Sequence, residues 1–208
     1  MKMRSAVLIL TLTLAGCGIG RVAEPPQVFD LGLDARPVPA LPAREAIALT
    51  FQAAPTLSDT SMIWRVGDSA APRSYATYRW ASSPAELVRQ RLADRLSRQG
   101  PVLNDRVSLQ TPQLQVSLVQ FEQVYTEDGR SSQGLVLLQA VLLNGRAVVD
   151  QQRILVQAPA PSQNAEGGVA ALRQATDEAA DQLAQWLAAT LKPAATSPSA
   201  SVSDTRRR

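Results

Sequence analysis

Apolar and polar positions along this chain follow two rhythms, one of period two and one close to 3.6. Ile47, Leu49 and Phe51 alternate with Ala48, Thr50 and Gln52, which predicts a half-buried strand ended by Pro55. Val28 to Leu33 is a shorter strand candidate. Met62 to Val66 predicts a strand closed by Gly67-Asp68, and Ser74 to Trp80 predicts another. Alternation along the latter puts Tyr75, Thr77 and Arg79 on one face and Ala76, Tyr78 and Trp80 on the other. These two strands should form a hairpin around the polar segment 67–73. Leu114 to about Tyr125 predicts a long strand whose apolar parity shifts near Leu118-Val119, the mark of a bulge. Glu127-Asp128-Gly129 is its turn. Leu135 to Leu143 is apolar on both faces, which predicts a central strand covered on both sides, with Gln139 as a satisfied core amide. Asn144-Gly145 is a two-residue hairpin signal, and Arg146 to Gln157 returns as the partner strand.

The longer period appears twice. Ser83-Pro84-Ala85-Glu86 places Ser at the N-cap, Pro at the first helical position and Glu at the third, a capping box. Val88, Leu92 and Leu96 then form the buried stripe, with Leu87 widening it, while Glu86, Arg89, Gln90, Arg98 and Gln99 face water. Gly100-Pro101 stops the helix. Gly167-Gly168 precedes a closing helix to about Leu191, with Val169, Leu172, Thr176, Ala179, Leu183, Trp186 and Leu187 on one stripe. The order of elements predicts an α/β (α+β) fold: a mixed, mainly antiparallel sheet with two main helices packed on it, in a single domain over residues 28–192.

The N-terminus follows neither rhythm. Lys2 and Arg4 precede an apolar run from Ala6 to Leu14. That run is shorter than the ~20 residues a membrane span needs, and it suits a signal peptide over residues 1–16. It ends in Leu14-Ala15-Gly16-Cys17, which resembles the bacterial lipobox. Small residues let the backbone enter a peptidase cleft, and the Cys17 thiol takes up a diacylglyceryl thioether. Further acylation, palmitate included, gives a stable anchor where one chain at ~0.8 kcal/mol per methylene is marginal. The alternative is an ordinary secretory signal with a chance cysteine; the chain's single cysteine falling at this place in the pattern argues against it. Gly18 follows, where the sorting rule of Gram-negative lipoproteins would read aspartate as inner-membrane retention. Glycine there implies the periplasmic face of the outer membrane. Residues 17–27 read as a lipidated tether stiffened by Pro25-Pro26, and residues 193–208 as a disordered tail.

Composition then excludes several chemistries. The chain has 208 residues and no histidine, so no Ser-His-Asp or Cys-His arrangement and no imidazole metal site can be built. The formal charge of +3 sits at the ends. Between residues 17 and 193, 16 basic residues face 17 acidic ones, which gives no basic stripe for nucleic acid. Past the signal segment Lys192 is the only lysine, so a Ser-Lys dyad has almost no material. No phosphate-cradling Gly-x-x-x-x-Gly-Lys loop exists. Neither a cofactor nor a metal is expected. The pairs Glu127-Asp128 and Asp177-Glu178 point apart on any regular element and read as solvated charge.

The stretch from Leu57 to Val66 (Leu-Ser-Asp-Thr-Ser-Met-Ile-Trp-Arg-Val) and that from Tyr75 to Leu87 resemble the ABC-type transport auxiliary lipoprotein family, the PqiC-like proteins. The shared pattern is an aspartate before an aromatic-Arg-aliphatic strand, a Tyr-x-x-x-x-Trp element and a Pro-x-x-Leu helix start. The resemblance implies a non-enzymatic outer-membrane lipoprotein subunit serving lipid transport between the two membranes. Its partners would be an MCE-domain protein and an ABC permease and ATPase, with association between copies left open. The competing reading is a structural envelope lipoprotein that binds cell wall or an outer-membrane assembly machine. Trp64, Arg65, Tyr78, Arg79 and Trp80 are the candidate partner or lipid surface. Core packing is the ordinary role for the three rings, and an ion pair with Asp59 or Asp68 for the two arginines.

Overall fold

Ser83 begins a helix where the sequence places one. In α1 (Pro84–Ser97) Ser83 Oγ accepts from Glu86 N at 3.3 Å. Glu86 does not complete a capping box; its carboxylate accepts from Arg89 Nε and Nη2 at 2.8 and 2.7 Å and from Gln90 at 2.7 Å. Val88, Leu92 and Leu96 are fully buried. Gln99, expected in water, is buried as well, because the chain at Arg44 crosses over it. Arg44 N donates to Gln99 O at 2.7 Å, and a Cβ on Gly100 would come within 2.3 Å of Arg44 O. The computed structural model describes residues 25–34, 36, 37, 40–104 and 110–191. The signal segment, Cys17, the tether up to residue 24 and the tail 193–208 lie outside the described residues.

The other elements are β1 (Gln27–Phe29), β2 (Ile47–Ala53), a 3-10 turn (Pro55–Leu57), β3 (Ser61–Val66), β4 (Arg73–Trp80), β5 (Val102–Leu103), β6 (Gln113–Tyr125), β7 (Ser132–Asn144), β8 (Ala147–Pro159) and α2 (Ala165–Thr190). They build one mixed eight-stranded sheet centred on β6. One edge of β6 carries β2 along its first half and β3 along its end, both parallel. Its other edge carries β7, and β8 follows, both antiparallel over their whole length. β4 pairs antiparallel with β3, β1 parallel with β4, and β5 parallel with β2. The bulge falls where the parity shift predicts it: Leu118 faces Leu138 and Gln120 faces Leu137, so Val119 is the extra residue.

Both helices lie on one face of this sheet. Leu114, Val116 and Leu118 of β6, Val136, Leu138 and Leu142 of β7, and Ile154 and Val156 of β8 point to that face and are buried. β7 is therefore not covered on both sides. On its other face Leu137 is buried, Leu135, Val141 and Leu143 are half-buried and Gln139 is exposed. The expected core amide at Gln139 is thus a surface residue, paired in register with Arg153 and Ser117. The apolar run on the open face is an aliphatic row with glutamines beside it, not a second core.

Four smaller expectations change for local reasons. β1 stops at Phe29: Asp30 Oδ1 accepts from Gly32 N at 2.7 Å, Gly32 takes φ +61°, and the turn drops Leu31 into the core. Asn144 stays in the β7 ladder opposite Ala147, so the hairpin turn is Gly145-Arg146. Gly167 and Gly168 lie inside α2, whose N-cap is Asn164, with Oδ1 accepting from Gly167 N at 2.9 Å. Asp177 is buried rather than solvated. Arg91 Nη1 donates to it at 2.8 Å, Arg36 lies 3.1 Å away, and Arg95 pairs with Asp181 one turn further on. Two ion pairs four residues apart on both helices require α1 and α2 to run side by side in the same direction.

Candidate functional site

Of the candidate residues on β3 and β4, Trp64 and Tyr78 join one row of rings while Arg65 and Trp80 do not, and the expected alternation along β4 fails. Ser61 pairs with Arg79 whereas Ile63 pairs with Ser74, so β4 carries extra residues over the same span. That irregularity cancels the split of faces. Tyr75 and Tyr78, expected on opposite faces, meet edge to face at 5.7 Å. Arg79 folds back and donates from Nη1 to the carbonyls of Tyr75 and Tyr78 at 2.6 and 2.8 Å. Its guanidinium satisfies backbone acceptors at the bulge instead of pairing with Asp59 or Asp68. Asp59 Oδ1 instead accepts from Ser61 N at 2.7 Å, and this bond leads in holding its carboxyl below the ordinary range.

Rings therefore run across four strands. Phe29 of β1 stacks on Tyr78 with centroids 6.0 Å apart. Tyr75 lies 6.1 Å from Trp64 of β3, and Trp64 meets Tyr125 at the end of β6 edge-on at 5.6 Å. The Arg73 guanidinium sits 5.3 Å from the centroid of the Trp64 ring. All five rings are half-buried. Trp64, Val66, Tyr75 and Tyr125 line a shallow pocket of about 280 Å³. The hydroxyls are ordered beneath. Tyr75 donates to Gln123 Oε1 at 2.8 Å, and its oxygen lies 2.7 Å from that of Tyr125. Burial, then the bond to Tyr125, pushes the Tyr75 hydroxyl well above the usual tyrosine range, so it stays a neutral donor.

Trp80 does not join this surface. It is 2% exposed and meets Phe121 edge-on at 5.4 Å, so it belongs to the core. Arg65 points to the open face, where Nε lies 2.8 Å from Glu122 Oε2 and Nη1 donates to Ser69 O at 2.9 Å. An ion pair was expected, and Glu122 is its partner because Arg65 sits opposite Val124 in the β3–β6 ladder, beside Glu122's end of the strand. The pair borders a groove of about 840 Å³ that Val124, Leu135 and Pro159 also line. Sequence reading missed Phe29, Tyr75, Tyr125 and Glu122 as members. The register of β3 on β6 brings in Tyr125 and Glu122, the β1–β4 pairing brings in Phe29 and the β3–β4 irregularity Tyr75, and nothing local announces a pairing between residues about sixty positions apart. The Arg91/Arg95 and Asp177/Asp181 cluster did leave a signal: matching four-residue spacings of opposite charge on two helices.

An aromatic surface with bonded hydroxyls at one side and a guanidinium over one ring makes an amphipathic contact surface. No described helix is long and apolar enough to cross a membrane. The model of a family described as the ABC-type transport auxiliary lipoprotein component matches residues 35–184. No curated protein sequence matches the chain. Among solved structures, a protein from Xanthomonas campestris is 21% identical and superposes with a TM-score of 0.64 over 80% of this chain and 94% of its own. A crystal structure of an uncharacterized protein is 15% identical, with a TM-score of 0.62 over 79% of this chain and 99% of that one. At these identities the two structures share the fold.

Proposed function

The chain belongs to the ABC-type transport auxiliary lipoprotein family, and from that premise we propose that it is the lipid-anchored, non-enzymatic outer-membrane subunit of an MCE/ABC-type lipid transport system. Cys17 carries the acyl chains and holds the domain on the periplasmic face. The domain contributes surface, not turnover, to an assembly whose permease, ATPase and MCE-domain protein are other chains. The observation that carries this reading is the family match, which spans both halves of the sheet and reaches into α2. Two features support it. The lipobox-like Leu14-Ala15-Gly16-Cys17 provides an acylation site. The sheet has one face filled by helices and the other left with an aliphatic row, as suits a module that meets other proteins.

The test is co-purification. Tagged protein, cross-linked in intact envelopes and isolated, should bring down an MCE-domain protein and an ABC permease identified by mass spectrometry. Recovery of cell wall fragments or an outer-membrane assembly machine, without those components, would replace this reading with the structural one.

A further inference from the structure

Where the described chain begins decides which end of the domain faces the lipid. β1 starts with Gln27 opposite Tyr78 and runs parallel to β4, away from the β3–β4 turn. The chain before Gln27 therefore arrives from that turn's side. The β6–β7 turn lies at the same end, since Val66 pairs with Tyr125 and Gly67 N donates to Tyr125 O at 2.8 Å. So do Trp64, Tyr75, Tyr125 and Arg73. The opposite end holds the Gly145-Arg146 turn and the last turn of α2, where Trp186 Nε1 donates to Asp150 at 2.8 Å.

Lengths turn this polarity into an orientation. Ten residue steps separate Cys17 from Gln27, at most about 35 Å when fully extended. α2 has 26 residues and spans about 39 Å, and the 13-residue strands about 43 Å. The registers set Gln27 about level with Phe121, about four residues (~13 Å) from the Tyr125 end and about nine (~30 Å) from Gly145, so the ring-bearing end needs less than half of the tether's reach and the Gly145-Arg146 end nearly all of it. We propose that the Trp64–Tyr75–Tyr125 end of the sheet is a lipid-contact surface, seated in the headgroup layer of the membrane that holds the acylated Cys17.

The surface has the chemistry of that layer. Trp and Tyr are the residues enriched in that layer; here the Tyr75 and Tyr125 hydroxyls are held beneath by each other and by Gln123, which leaves ring surface of Trp64, Tyr75 and Tyr125 to meet lipid. Val66 is 38% exposed beside them, and Arg73 lies over Trp64 with its charge free to reach phosphate. Charge does not drive the contact. Arg73 and Arg130 at this end stand against Asp68, Glu127, Asp128 and, in the first turn of α2, Glu166. The contact should therefore resist added salt, unlike a basic patch.

The inference rests on acylation of Cys17, and the experiment separates the two. The full mature lipoprotein is reconstituted in vesicles of phosphatidylethanolamine and phosphatidylglycerol that contain doxyl-labelled phosphatidylcholine. Tryptophan fluorescence should be quenched. Trp64→Phe should remove most of that quenching and Trp186→Phe should leave it, at low and high salt alike. An environment-sensitive fluorophore on Ala70→Cys, in the exposed β3–β4 turn, should report lipid, and one on Arg146→Cys should report water. This second pair avoids any change to the rings. Palmitate labelling without Trp64 quenching, or with lipid reported at 146 rather than 70, overturns the orientation and leaves the anchor standing. Equal palmitate labelling of wild type and Cys17→Ser overturns the anchor, and the inference with it.

Discussion

Asp177 and Asp34 share a cluster of arginines and respond to acid in opposite ways. Burial pushes the Asp177 carboxyl up, and Arg91 and Arg36 only partly offset it. At Asp34 burial also raises, but the Arg36 backbone bond and the guanidiniums of Arg36, Arg98 and Arg91 outweigh it and hold the group below its usual range. Asp34 thus contributes stability above its unfolded pKa of 3.8, which is lost as pH falls through its folded value. The Asp177 contribution is complete below 3.8 and is lost as pH rises through its raised value. At neutral pH Asp177 still serves as the countercharge for Arg91, which is only 6% exposed. Asp177→Ala should destabilise the fold by about 3 kcal/mol in urea titrations at pH 7, because it removes both the carboxylate and the oxygen that accepts from Arg91 Nη1. An unchanged midpoint would mean that the Leu31 and Gly32 carbonyls suffice for Arg91.

At the scale of elements, α1 and α2 are legible in the chain and their ends are less so. The Ser83-Pro84 start and the Val88–Leu92–Leu96 stripe appear as read, because both depend on contacts within a few residues. The Glu86 carboxyl turns outward and is held down to about 2, first by the Arg89 hydrogen bond and further by Gln90. Its contribution is present above pH 4.5 and is lost as pH falls toward 2. Thermal melts followed by circular dichroism should show Glu86→Gln below wild type near neutral pH, with the difference closing in that acid window. A gap that persists at pH 2 would assign the loss to packing. Gly167-Gly168 misled for a reason of packing. A Cβ on Gly168 would lie 2.1 Å from Gln123 Oε1, and Gln123 is fixed by Tyr75, Ser132 and Asn164. A glycine inside an exposed helix normally gains about 1 kcal/mol on change to alanine. Gly168→Ala should instead cost about 2 kcal/mol by overpacking, read by chemical denaturation. A gain would show that Gln123 can move aside.

The whole molecule has two polarities, one across the sheet and one along it. Across it, two parallel helices fill one face and leave the aliphatic row of β7 on the other, which is where the co-purification test finds its physical basis. Along it, the chain enters at the ring-bearing end and the last turn of α2 closes the far end, which is what the quenching experiment reads. Both polarities follow from β6. It is long enough to carry β2 and β3 in succession on a single edge, so elements distant in sequence line up as near and far halves of one layer.

Taken alone, the chain determined what short-range forces decide: the alternation along β2 and β6, the Val119 bulge, the start of α1, where the β3–β4 and β7–β8 hairpins fall to within a residue, and the absence of histidine chemistry. Only tertiary structure decided which glycines lie inside a helix, which carboxylates are buried, and which rings meet. Those outcomes depend on register and close approach between segments that touch only after the sheet has formed, and the burial that fixes them has no local imprint in side-chain periodicity.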